Sequence, residues 1–107
     1  SKNMILSANG QNIYPEEIED KLSNMTLVNE CLVVQRDNKL VGLVYPDQEQ
    51  IKNLNLSESD IESIMEQNRK EVNPTLPSYA QLISIKVMDK EFEKTPKKSI
   101  KRFLYQN

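Results

Sequence analysis

Two apolar runs parted by a two-residue polar break constrain this chain more than any other feature. Val28 to Gln35 is rich in Val and Leu, as is Leu40 to Tyr45, and Asp37-Asn38 lies between them. Such runs around a turn dipeptide predict an antiparallel hairpin. A hairpin alone leaves its apolar faces wet, so other segments must pack against it.

The flanking segments offer that cover. Met4 to Leu6 is a short strand candidate, Ser7 to Gly10 supplies turn residues, and Asn12 to Tyr14 is a second extended piece. Pro15 suits the first turn of a helix, where a missing N–H costs nothing. Glu16, Glu17, Glu19 and Asp20 then place negative charge at the positive end of the helix dipole. Ile18 and Leu22, four apart, give this helix a buried stripe. Asp47 to Leu56 reads as a polar connection. Ser57 followed by Asp60 reads as a capped helix start. Ile61, Ile64, Met65 and Val72 keep to one helical face until Pro74 and Pro77 close the segment.

Gln81 to Met88 alternates, which predicts a half-buried strand with Ile83, Ile85 and Val87 on its inner side. Ile100, Phe103 and Leu104 at i, i+3 and i+4 predict a short terminal helix. The expected order is β-β-α-β-β-α-β-α, an α+β fold. A short two-stranded flap precedes a three-stranded sheet packed with helices. At 107 residues, 1–107 form one domain.

Composition narrows the chemistry. A net charge of -2 gives no general attraction to nucleic acid, so any phosphate binding must be local. No apolar run approaches a membrane span, and membrane contact is left open. The single Cys31, in an apolar stretch, reads as a buried thiol in a reducing, cytoplasmic compartment. With no histidine and one cysteine, the usual zinc spacings and a Ser–His or Cys–His catalytic set are absent.

Two end segments concentrate the functional signal. Gly10 to Glu19 joins a glycine turn to a proline-started helix. Gly10 is either a plain turn glycine or a place where another chain passes close to the backbone. Lys94 to Arg102 holds Lys94, Lys97, Lys98, Lys101 and Arg102 with no acid among them. It is a solvated basic tail, a surface for anionic polymers, or a site for phosphate. The low aromatic content of 6% weighs against nucleic acid.

Together these segments resemble the C-terminal lid domain of adenylate-forming enzymes, the superfamily of AMP-forming acyl-CoA synthetases. Gly10, Ile13, Pro15, Glu17, Ile18 and Glu19 match the motif that opens such lids, and Lys94, Thr95, Ile100 and Arg102 fall on the motif that ends them. The resemblance implies that Gly10 lines the channel by which coenzyme A reaches the acyl-adenylate. It implies Lys2 as the hinge residue and a chain cut at the domain boundary, because the Gly-Arg pair expected before the hinge has no counterpart ahead of Ser1. A lysine of the last motif would stabilise charge as a carboxylate attacks the α-phosphate of ATP.

Without gaps, the family's glycine falls on Lys98 and its lysine on Ser99, which cannot supply a cation. Lys98, through a one-residue change in the turn, is the favoured catalytic candidate and Lys101, reaching in from the helix, the alternative, unless no lysine serves. Lys94 and Arg102 would support the phosphate side. The implied partners are an N-terminal adenylation domain of the same polypeptide, ATP, Mg2+, coenzyme A and a fatty acid, with long-chain fatty acid–CoA ligases nearest in pattern. An acyl-AMP ligase that does not use coenzyme A and a non-catalytic binding module are the competing readings.

Overall fold

A computed structural model describes residues 3–106. β1 (Ile5–Leu6) and β2 (Asn12–Ile13) form an antiparallel flap. α1 (Pro15–Leu22) follows, then β3 (Val28–Arg36) and β4 (Lys39–Pro46). α2 (Gln48–Leu54) and α3 (Glu58–Val72) lead through two single 3-10 turns to β5 (Leu82–Val87). The main sheet has the order β3-β4-β5, with β3 antiparallel and β5 parallel to β4. The α+β architecture, with its small flap and three-stranded sheet, is the one expected.

The central hairpin forms as its sequence dictates. Asp37 and Asn38 both take positive φ, 52° and 62°, the backbone that a two-residue turn with the right-handed strand twist requires. Both faces of the sheet are covered, which accounts for the unbroken apolar runs. Val33, Leu40 and Val44 face α1 and α3, packing with Ile18, Leu22, Met65 and Val72. Leu32, Val34 and Leu43 face the opposite way, under Phe92, Ile100 and Tyr105.

α1 begins at Pro15 and buries Pro15, Ile18 and Leu22. α3 begins with the expected capping box, Ser57 and Asp60 each bonding the other's backbone N–H. The Ser57 backbone N–H, and after it the Ser57 side chain, hold the Asp60 carboxyl below its usual range. Its buried stripe includes one polar member: Asn68 donates to the Thr26 carbonyl at 2.8 Å and ties α3 to the loop before β3.

Three expectations are corrected. The polar connection after β4 contains α2, capped by Asp47 and closed by Asn55 at φ 53°. It buries no residue fully, so no apolar period marked it. In β5 Ile85 and Val87 pack inward as expected, but at its start Leu82 is the buried residue and Ile83 is 49% exposed. A register shift between Leu40 and Val41 causes this, pairing Leu40 with Leu82 and Val41 with Ser84. The terminal helix is a single 3-10 turn, Arg102–Leu104, that leaves Phe103 and Leu104 exposed. Three apolar residues cannot nucleate a helix that has no face to bury.

Candidate functional site

Gly10 sits at the flap tip with φ 86°, its N–H bonded to the Ser7 carbonyl at 3.0 Å. A β-carbon there would meet nothing within 4 Å. The chain itself therefore asks for glycine through backbone conformation and not through space. The flap is held to the body by Gln35, whose Nε2 donates to the Leu6 carbonyl at 3.0 Å. A cleft of about 290 Å3 runs between β1 and the C-terminal segment, with Met4, Leu6, Val34, Arg102 and Gln106 on its walls.

The basic segment is a small hairpin. Lys94 and Ile100 pair as an antiparallel bridge, and Thr95 and Ser99 bond through Thr95 N–H to Ser99 C=O at 2.8 Å. Lys98 N–H closes the turn on the Thr95 carbonyl at 2.8 Å. Pro96 stands second in that turn, the place where its fixed φ is already correct. Lys98 takes φ 67°. A three-residue hairpin loop needs a left-handed last residue, a place that glycine normally fills. That residue is the one the ungapped motif assigns to glycine, so the loop has the length of the motif without insertion. Ser99, on the motif's lysine position, is exposed.

The five cations divide into two groups. Arg102 makes a two-pronged pair with Glu19 of α1, at 2.8 and 2.5 Å. Lys94 pairs with Glu30 of β3 and also donates to the Phe92 carbonyl at 3.2 Å. The hydrogen bonds to Glu19 and Glu30 hold Arg102 and Lys94 above their ordinary pKa. Lys97 and Lys98 stand exposed at the turn, with no carboxylate paired to either among the described residues. Lys101 is half-buried, and its N–H bonds the Glu93 carbonyl at 2.9 Å. Lys2, the expected hinge, lies outside the described residues.

Glu19 and Glu30 were not legible as site residues. Glu19 read as a motif match and as helix-start charge, with no role in the site, yet its carboxylate also accepts the Val33 N–H at 2.8 Å on the outer edge of β3. Cys31 lies beside it, with Sγ 3.4 Å from the Glu19 carbonyl oxygen. The Cys31 thiol is pushed up to about 12, first by burial and then by the charges of Glu19 and Asp20, against an opposing pull from Arg102. Only the thiolate alkylates. Iodoacetamide at pH 8 should therefore modify Cys31 of the folded chain roughly a hundredfold or more slower than a small free thiol. Mass spectrometry over time checks this; rapid modification would mean that α1 opens readily from β3.

No curated protein matches the chain significantly. Among solved structures, the adenylation domain of a carboxylate reductase from Mycobacterium chelonae superposes with a TM-score of 0.80 at 18% identity, over 96% of this chain and 17% of that one. An acyl-CoA synthetase from Brucella canis gives 0.76 at 22% identity, over 99% and 19%. An anthranilate CoA ligase in complex with anthranoyl-AMP gives 0.70 at 26% identity, over 96% and 19%. The chain thus spans about a fifth of the length of these proteins. A family model described as the AMP-binding enzyme C-terminal domain matches residues 2–106, taking in both the flap and the basic hairpin, and the chain belongs to that family.

Proposed function

We propose that this chain is the mobile lid of an AMP-forming, ATP-dependent fatty acyl-CoA ligase that works in the cytoplasm. The basic hairpin carries the reading. Its loop is closed by backbone hydrogen bonds, is bracketed by two ion-paired cations, and raises at its tip Lys97 and Lys98, to which no carboxylate among the described residues is paired. In the first half-reaction a carboxylate oxygen attacks the α-phosphorus of ATP and the bond to pyrophosphate breaks. Negative charge grows on the non-bridging oxygens, where a fixed ammonium stabilises the transition state more than the ground state. Lys98 is the residue we assign to that role, with Lys101 as the alternative.

In the second half-reaction the thiol of coenzyme A attacks the acyl carbonyl and AMP leaves. The Gly10 flap would then line the thiol's approach, and Lys2 would be the pivot between the two orientations. The N-terminal adenylation domain of the same polypeptide would bind ATP and the acid. Mg2+ would screen the phosphate charge, but among the described residues no three acidic, cysteine or histidine side chains converge to hold it.

The test compares this chain with the longer enzyme it is proposed to close. The chain alone is expected to make no acyl-adenylate. The longer enzyme is expected to release pyrophosphate with ATP and a fatty acid, and to yield a thioester when coenzyme A is added. Pyrophosphate from the chain alone would overturn the reading. An adenylate that never becomes a thioester would identify the acyl-AMP ligase instead. Salt-sensitive binding of the chain to generic DNA or RNA, with no effect of ATP or acid, would favour a binding module.

A further inference from the structure

We infer that Glu19 and Glu30 are positioning residues for the adenylation half-reaction, an inference that rests on the lid reading above. Each fixes one of the two cations that bracket the lysine turn, Lys94 before it and Arg102 after it. The turn is well closed within itself, but its own hydrogen bonds do not orient it on the domain. Orientation comes from its two feet. The first foot is Lys94 on Glu30, helped by Phe92, which is buried beneath the sheet and whose N–H points at Glu30 Oε1 at 3.4 Å. The second is Arg102 on Glu19, helped by Tyr105, whose ring meets Phe92 edge-on at 5.0 Å and whose hydroxyl accepts the Glu93 N–H at 2.8 Å.

The placement of the two acids is costly unless it serves orientation. Their side chains are only 12% and 17% exposed. Removing a carboxylate from water carries a penalty that ion pairing scarcely offsets, and apolar replacements of such pairs are often as stable or more so. Direction is what an ion pair supplies and an apolar contact does not. Glu19 makes this plain, because one carboxylate takes two bonds from Arg102 and one from Val33 N–H. Three donors in fixed directions lock α1, the outer edge of β3 and the C-terminal segment together. The two locked cations spend their charge within the domain, so Lys97, Lys98 and Lys101 are left to meet phosphate.

The experiment uses the longer enzyme with Glu19→Gln and Glu30→Gln, which keep shape and remove charge. Two rates are read: pyrophosphate release from ATP and acid, and thioester formation from supplied acyl-adenylate. Each variant is expected to slow pyrophosphate release about tenfold, mostly in kcat, with thioester formation within twofold, both read well below the lowered melting temperature that loss of one partner of the pair brings. Exchanging the first pair, Glu30→Lys with Lys94→Glu, should recover most of the loss. Unchanged pyrophosphate release overturns the inference, as does an equal fall in both rates together with the melting temperature, which would mark a merely structural pair. A wild-type enzyme that releases no pyrophosphate overturns the lid reading and takes the positioning role with it. That result is distinct from a working wild type whose variants match it.

Discussion

Replacing Lys98 by glycine is expected to stabilise the domain and to disable adenylation, two effects of opposite sign from one side chain. The stabilisation follows from backbone conformation. Lys98 holds φ 67°, where a β-carbon crowds the backbone and glycine does not. Removing it should gain about 1 kcal/mol, read as a higher urea midpoint. The loss follows from charge. If Lys98 supplies the ammonium that meets the developing phosphate charge, its removal should slow pyrophosphate release by about a hundredfold or more in the longer enzyme. Stability and activity moving apart is informative, since unfolding cannot explain a slower but sturdier variant.

Two companions make the test decisive. Lys101→Ala should slow the same step less than tenfold. Lys98→Gly combined with Ser99→Lys writes the family's glycine and lysine back into a loop that already has the right length, and should restore the rate. A Lys98→Gly enzyme as fast as wild type would remove Lys98 from the chemistry. In that case a gain from Ser99→Lys alone would mean that the position, and not the local charge, is what the reaction requires.

What the sequence made legible was local. Pro15 with its following acids, the Ser57 and Asp60 cap, and Asp37-Asn38 each specify a conformation within a few residues, and each forms as expected. What escaped was settled elsewhere in the chain. α2 has a cap but no buried stripe, so hydrophobic periodicity was silent. Which residue is buried at the start of β5 depends on a register shift opposite Leu40, and nothing within Gln81 to Met88 announces it. The C-terminal segment folds back as a 3-10 turn because an ion pair and Tyr105 hold it, where an apolar stripe was expected. The same holds for the candidate site. Gly10 and the lysine turn stood out by motif, but Glu19 and Arg102 are 83 residues apart and met only in the fold.

The packing beneath α1 should show how strongly the fold enforces this geometry. Leu22, fully buried at the end of α1, lies over Gly42 of β4, where a β-carbon would come 3.2 Å from Leu22 Cδ2, 3.3 Å from Leu82 Cδ1 and 3.4 Å from Ile85 Cγ1. Leu22→Ala should cost about 2–5 kcal/mol, because helix and sheet cannot close the hole together. Gly42→Ala should cost about 1–3 kcal/mol by overpacking, with no penalty from φ, which is ordinary there. The double variant should fall well short of the sum, since the new methyl occupies part of the space that Leu22 vacates; a coupling of about 1 kcal/mol or more is expected. Urea unfolding of the four proteins measures it. Strict additivity would mean that α1 does not rest on Gly42, and Glu19 would then lack the firm seat from which it holds Arg102.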